Sequence, residues 1–411
     1  VPPGGTLDGV KTTTGAITIL RAAWLFDGTS ETLMPNPTVV LDGATITAVG
    51  TSLPTPDGAT VIDLDGATLL PGLVDSHVHL AFDASDDPVG HLANRDDAEV
   101  FTAMAGAARR AARGGVTTVR DLGDRGYLAL GLRDAASADA TLPTIVAAGP
   151  PITTPGGHCH YLGGTATGVA GVRAAVGEHA ERGVDVIKIM ASGGNLTPGS
   201  RPEASQFGPD ELRAAVEEAH RLGLPITAHA HGTQAIIDAL AAGVDGLEHV
   251  TFMTADGVDA IPGDVLATIA ARPVTLGITL GMAPVPGATP MPAMAARRPA
   301  LLANVRRLHE AGASMIAGTD AGVGPIKPPD VLRWAVAQLT QIGMTPAQAL
   351  QASTSVAATA CGLGHRKGRL ARGYDADILA IDGNPLEDPA ALHRIRAVFV
   401  RGTALTNPTR E

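Results

Sequence analysis

The chain has 411 residues, of which 45 % are hydrophobic and only 3 % aromatic, and a formal net charge of −11. Its length allows two or three domains, or one large α/β barrel with appendages, and its core must be built from Ala, Val, Leu and Ile. The acidic balance, the lack of a basic run and the scarcity of stacking side chains exclude a nucleic-acid face, and no apolar run is long enough to span a membrane.

Only two cysteines are present, Cys159 and Cys361, too few for a disulfide framework or a cysteine zinc site. The first residue is Val1 rather than Met, which fits a processed or trimmed start. The expectation is a cytoplasmic protein, with a removed signal peptide compatible with the sequence.

The first 70 residues read as short strands between turn residues: Ala16–Leu20, Val39–Leu41, Thr45–Val49 and Thr60–Leu64, with Asp42-Gly43 and Asp65-Gly66 as turns. The end of the chain is similar, with Ala376–Ile381 and Ala397–Arg401 strand-like. Neither end has enough strands for a stable sheet, so both are expected to pair into one small β-sandwich domain of residues 1–70 and 364–411.

Between residues 71 and 363, short apolar runs alternate with helical patterns. The expected strands are Gly72–His79, Thr117–Asp121, Thr144–Ala148, Val184–Met190, Pro225–Ala230, Gly246–Val250, Val274–Thr279 and Ser314–Asp320. Helices are expected at Glu99–Arg113, Val172–Arg182, Pro209–Leu222, Thr233–Ala242 and Ala300–Ala311. Eight strands alternating with helices predict an α/β fold, a (β/α)8 TIM-like barrel, with an open doubly wound sheet as the alternative. No glycine-rich nucleotide loop follows the first strand, which counts against the open sheet.

In such a barrel the chemistry sits where strands meet their following loops. His77 and His79 end the first strand one residue apart, so they share a face. They read either as half of a metal site or as satisfied polar residues at a strand end. Lys188 lies inside the fourth run, His229 and His231 end the fifth, His249 the sixth and Asp320 the eighth. Each is a potential ligand.

Lys188 is the hardest of these to explain as ordinary structure. The chain has four lysines against 26 arginines, and this one lies in a strongly apolar run. An unpaired buried ammonium is costly. Three readings stand: a lysine paired with an acid such as Asp121 or reaching solvent, a Schiff-base lysine, or a lysine carboxylated by CO2 whose carbamate bridges two metals.

Pro71–Leu80, Lys188 in Val-Ile-Lys-Ile-Met-Ala-Ser-Gly-Gly, His229 in Ala-His-Ala-His-Gly, His249 in Leu-Glu-His and Asp320 in Ala-Gly-Thr-Asp-Ala-Gly resemble the amidohydrolase superfamily. The set resembles its binuclear, lysine-carboxylated type, and within it the imidazolonepropionase-like amidohydrolases and the zinc-dependent prolidases and carboxypeptidases. The resemblance covers nearly the whole chain. It implies two divalent metal ions, zinc above all, with manganese, cobalt or iron accepted by the same ligands. His77, His79 and Asp320 would hold the more buried ion, His229 and His249 the more exposed one, and carboxylated Lys188 would bridge them. It further implies hydrolysis by a metal-bridged hydroxide, with Asp320 as general base and acid.

His231 shares a face with His229 if the strand continues, and reads as a catalytic or substrate contact or as structure. Some relatives carry Tyr at this position. His158, His160 and Tyr161, in a Gly-rich loop after the third strand, are candidate substrate contacts or simple loop polarity. Arg201, in the loop after the fourth strand, is a candidate partner for a substrate carboxylate. Gly281–Pro299, with Met282, Met291, Met294 and five prolines, is an apolar lid or a long loop.

The expected function is a metal-dependent hydrolase cutting an amide, in a dipeptide or N-acyl amino acid, in a small-molecule substrate. The alternatives are the same site acting on a lactone, cyclic amide, carbamate or phosphoester, and a non-catalytic metal-binding barrel. No nucleic-acid or membrane partner is expected, and a homo-oligomer is compatible with the sequence.

Overall fold

The computed structural model describes residues 17–288 and 292–405. Strands from both chain ends share one sheet. Its order is Thr403–Ala404, Ile395–Val400, Ile378–Asp382, Thr60–Pro71, Ile17–Leu25, Pro37–Asp42 and Thr45–Thr51, with Met34–Pro35 paired to Ile17–Leu25. The seam between the two ends is antiparallel, with Leu379 opposite Leu70 and Ile381 opposite Thr68. Alternate residues of these strands feed a separate apolar cluster that includes Leu20, Val39, Leu41, Ile46, Leu64, Leu69, Ile378 and Phe399. Ala16, the first residue of the expected opening strand, lies outside the described residues.

The central region carries eight strands: β1 (Leu73–Val78), β2 (Val116–Asp121), β3 (Thr144–Ala147), β4 (Ile187–Met190), β5 (Ile226–Gly232), β6 (Gly246–Met253), β7 (Thr275–Thr279) and β8 (Ser314–Gly318). β1, β2 and β3 form one parallel sheet, and β4 to β8 form a second in sequence order. Their residues are buried almost throughout, the pattern of parallel strands covered on both faces. Isolated parallel bridges meet at both sheet edges, Ile152 with Ile189 and Val78 with Ala321. Backbone bonds accompany them: Ile152 N–H to Lys188 O at 2.8 Å and Asp320 N–H to His77 O at 2.8 Å. The architecture is a TIM-barrel-like α/β fold.

Helices follow the strands as their caps dictate. The Asp97–Arg113 helix opens on a capping box in which Asp96 accepts from Glu99 N–H and Glu99 from Asp96 N–H. The Pro209–Arg221 helix has Pro209 in its first turn. Helices at Leu128–Ala138, Gly263–Ala271, Leu332–Gln341 and Pro346–Ala352 add to those expected. Among the described residues no helix is long and apolar enough to cross a membrane.

Two expectations are corrected. Strand β4 begins at Ile187 rather than Val184, because Val184–Val186 approach the sheet as a turn whose Asp185 N–H bonds to Ala147 O. The Gly281–Pro299 segment is not one long loop: a helix runs from Pro292 to Glu310 with Pro299 inside it. Met282 accepts from Arg298 Nη1 at 3.6 Å, and Met294 from Asn195 Nδ2 at 3.9 Å. Met291 lies outside the described residues.

Candidate metal centre

The ends of β1, β5, β6 and β8 bring five histidines and an aspartate to one place. His77 and His79 stand on the same side of the chain. Their Nε2 atoms lie 3.5 and 3.3 Å from Asp320 Oδ1. His229, His231 and His249 form a second group, and within each group the potential ligand atoms lie within 4.8 Å of one another. The groups adjoin through His77 and His249, whose ring centroids are 4.9 Å apart.

Two of these residues hold unusual backbone. His249 has φ of 72° and Asp320 of 62°, the left-handed region that non-glycine residues rarely adopt. Strain of this kind costs about 1–3 kcal/mol and persists where surrounding structure over-determines it. It turns each side chain at the point where its strand gives way to a loop.

Each histidine has one nitrogen tied from outside, which orients the ring and settles its tautomer where the partner accepts only. His77 Nδ1–H donates to Glu248 Oε2 at 2.8 Å, and His79 Nδ1–H to Gly123 O at 3.0 Å. His229 is reversed: Nε2–H donates to Gly193 O at 2.9 Å. His231 Nδ1 lies 2.8 Å from Thr251 Oγ1, and His249 Nδ1 lies 2.9 Å from Thr279 Oγ1. The remaining nitrogens are left for the interior.

At His77, His229 and His249 the electrostatics favour neutral imidazoles, beside an ionised acid. Burial, then the neighbouring Lys188, pushes His77 down to about 4. Burial, then the other histidines, holds His229 and His249 well below the ordinary value. Burial alone also lowers His79, but Asp320 outweighs it and the net shift is upward. Burial would raise Asp320, yet His79, His77 and Lys327 hold its carboxyl well below the usual carboxylate range.

Lys188 lies 1 % exposed beside them, and its Nζ has no hydrogen-bond partner among the described residues. Burial lowers its pKa to about 8. Neither Asp121 nor solvent satisfies it: the Asp121 oxygens accept from Leu80 N–H and Gly123 N–H. His77 Nε2 also lacks a hydrogen-bond partner. Neutral imidazoles, one carboxylate and an unpartnered amine that can be neutral fit divalent metal ions of the zinc type.

The outer candidates divide. His158 is buried, its ring 4.9 Å from that of His229, its Nδ1 without a partner and its pKa pushed down to about 3 by burial. His160 is exposed and donates through Nδ1 to Gly157 O at 3.0 Å. Tyr161 donates to Cys159 Sγ at 3.7 Å. The Arg201 guanidinium is 73 % exposed, with Glu203 at 4.0 Å as its partner, and does not join the histidines.

Sequence reasoning passed over Glu248, Arg120, Thr251 and Thr279. Glu248 is 1 % exposed and accepts from His77, from Arg120 Nη2 at 2.9 Å and from Thr227 Oγ1 at 2.7 Å. Burial would raise its pKa, but Arg120 and His77 hold the carboxyl far below its ordinary range. Its signal was an acid inside an apolar strand. Gly277 makes room for it, since a Cβ there would lie 1.9 Å from Glu248 Oε2, and Gly318 does the same for His77, whose Cβ would be 2.6 Å away.

The chain is similar over 93 % of its length to ochratoxinase of Aspergillus niger, at 30 % identity and covering 84 % of that protein. It is 27 % identical to imidazolonepropionase of Salinispora arenicola over 87 % of each chain. Among solved structures, a Xaa-Pro dipeptidase with bound methionine superposes with a TM-score of 0.83 at 27 % identity, covering 95 % of this chain and 100 % of that one. The amidohydrolase family model matches residues 68–405, from the last strand before β1 to the final strand of the terminal sheet. The chain therefore belongs to the amidohydrolase family and is a hydrolase of C–N bonds.

Proposed function

We propose that this chain hydrolyses the amide bond of a dipeptide or N-acyl amino acid at a centre of two divalent ions. One observation carries the reading: His77, His79 and Asp320 form one group and His229, His231 and His249 another, the two adjoin, and a buried lysine with no hydrogen-bond partner among the described residues acts on the histidines of both. His77, His79 and Asp320 would hold one ion, His229 and His249 the other, and Lys188, carboxylated by CO2, would stand between them. Bound there, such ions polarise a carbonyl and lower the pKa of water to near neutrality.

The chain's own residues supply the rest. Asp320, ionised and with Oδ1 3.3 Å from His79 Nε2, takes the proton from the attacking water at Oδ and passes it to the leaving nitrogen. Glu248 and Gly123 O keep His77 and His79 in the tautomer that offers Nε2. His158, buried beside His229 with a free Nδ1, is placed to hold a polar group of the substrate, and Tyr161 and His160 border the same loop. The similarity to a Xaa-Pro dipeptidase supports the substrate class.

We read residues 71–363 as one closed (β/α)8 barrel, supported by the bridges at both sheet edges. We read residues 1–70 and 364–411 as a small β-sandwich domain, supported by its separate apolar cluster. The test of function is metal analysis with a hydrolysis screen of dipeptides, N-acyl amino acids, lactones and aryl phosphoesters. Turnover of dipeptides or N-acyl amino acids is expected. Turnover confined to lactones or phosphoesters, or a metal-loaded protein with none at all, overturns the reading.

A further inference from the structure

We propose that His231 completes a three-histidine site with His229 and His249, which holds a divalent cation without help from Lys188. The inference rests on the metal-hydrolase reading above and assigns His231 a role as ligand in place of the substrate contact expected from sequence.

The three ring centroids lie 4.5, 4.6 and 4.5 Å apart, a nearly equilateral triangle. One ligand atom from each lies within 4.8 Å of the other two, and all three residues are buried. The sequence builds this simply. Strand β5 runs on to Gly232, so His229 and His231 keep the alternation that puts them on one side. His249 arrives from the neighbouring strand.

The outward nitrogens follow a pattern. His249 on β6 is tied through Nδ1 to the Thr279 hydroxyl of β7 at 2.9 Å. His231 on β5 is tied through Nδ1 to the Thr251 hydroxyl of β6 at 2.8 Å. The device that orients one ligand is thus repeated one strand earlier. The two rings stack, with centroids 4.5 Å apart and an interplanar angle of 28°. His229 joins with the opposite tautomer, its Nε2–H spent on Gly193 O, which leaves Nδ1 unprotonated. Where the two threonine hydroxyls accept from Nδ1–H, the three nitrogens left, within 4.8 Å of one another, have no donor among them, and a divalent cation with three imidazole ligands satisfies all three.

The consequence is that the two ions are held differently. The His77, His79 and Asp320 group has two imidazoles and a carboxylate. The triangle has three imidazoles and needs neither the carboxylate nor the carbamate. Loss of Lys188 should therefore leave the triangle's ion in place.

The experiment uses the full chain, stripped with a chelator, reloaded with Co2+ and desalted. Elemental analysis gives the metal equivalents, and the visible Co2+ spectrum reports the ligand set. Lys188→Ala is expected to keep about one equivalent with a spectrum of nitrogen ligation. Lys188→Ala with His231→Phe is expected to lose that nitrogen-ligated ion and its spectrum. In the otherwise unchanged chain, His231→Phe should weaken the second Co2+ by at least the roughly 10–100-fold that follows loss of an outer partner of a ligand. Thr251→Val leaves the ring in place and frees it to turn, so it should weaken the same ion by a smaller factor even if His231→Phe fails to fold. Unchanged affinity and spectrum in the His231 and Thr251 variants overturn the inference, as does a Lys188→Ala chain with no metal. Those results leave the hydrolase reading intact. A wild-type chain that binds no metal overturns both.

Discussion

The Nδ1 of His77 lies 2.8 Å from Glu248 Oε2, and both side chains are 1 % exposed. The same carboxylate accepts from Arg120 through its other oxygen. Glu248 therefore serves two roles: it orients a metal-site ring, and it balances a buried guanidinium. Glu248→Ala should cost about 3–5 kcal/mol, because it leaves Arg120 buried without its partner. Metal affinity of the His77 group should fall about 10–100-fold. Urea unfolding and a Co2+ titration check the two effects separately. A loss below about 1 kcal/mol would show that Arg120 finds another acceptor and that the pair is not a structural centre.

Lys188 tests the carbamate. Its Nζ is buried and unpaired, with burial lowering its pKa to about 8, so the neutral amine that reacts with CO2 is accessible near neutral pH. Lys188→Ala should abolish measurable turnover. Formate, acetate or propionate added to the variant should restore part of it by placing a carboxylate where the carbamate stood. Full activity without any added acid would remove Lys188 from the mechanism.

How legible was this site in the sequence? His77 and His79 declared themselves because strand alternation puts them together, and Lys188 because it is one of four lysines and sits in an apolar run. Glu248 did not, because its partner is on another strand and the pairing depends on how the two strands sit across the interior. The turned backbone at His249 and Asp320 has no sequence signature, since neither residue is glycine. The helix expected from Ala300 begins earlier, at Pro292, and that first part was missed for a different reason. Five prolines between residues 281 and 299 read as loop, yet Pro292 sits in the first turn, where its missing N–H is harmless. The terminal sheet was legible as a need for partners, while its order required the structure.

The seam of the terminal sheet carries a pH response. Lys367 Nζ, 1 % exposed, lies 2.8 Å from Asp375 Oδ2 and 2.5 Å from Asp377 Oδ2. Burial pushes the Asp375 carboxyl up, but its bonds to Arg366 and Lys367 outweigh this and hold it below the ordinary value. A folded-state pKa below the unfolded one means that the unfolded chain binds the proton more readily. The stability from this group is thus present above the unfolded value, about 3.9, and is lost as pH falls through the folded one. Urea midpoints should decline as pH drops below about 5. Asp375→Asn should flatten part of that decline and cost about 1.5–3 kcal/mol at pH 7 through lost charged hydrogen bonds. An unchanged acid limb in the variant would assign the decline to other carboxylates.

Two glycines should respond oppositely to the same added methyl group. Gly106 lies in the Asp97–Arg113 helix, and a Cβ there meets nothing within 4 Å. Gly106→Ala removes the entropic cost of a mid-helix glycine and should stabilise by about 0.5–1 kcal/mol. Gly277, on β7, stands in register with Glu248, and its Cβ would lie 1.9 Å from Oε2. Neither group can yield easily, since Glu248 is held by His77, Arg120 and Thr227 at once. Gly277→Ala should therefore destabilise by about 1–3 kcal/mol, as overpacking does. It should also weaken metal binding, because displacing Glu248 releases the His77 ring. Thermal unfolding of both variants, each with and without added Co2+, reads the contrast. A Gly277→Ala chain as stable as wild type and with unaltered metal affinity would mean that the interior around Glu248 can rearrange, and that His77 does not depend on this carboxylate for its aim.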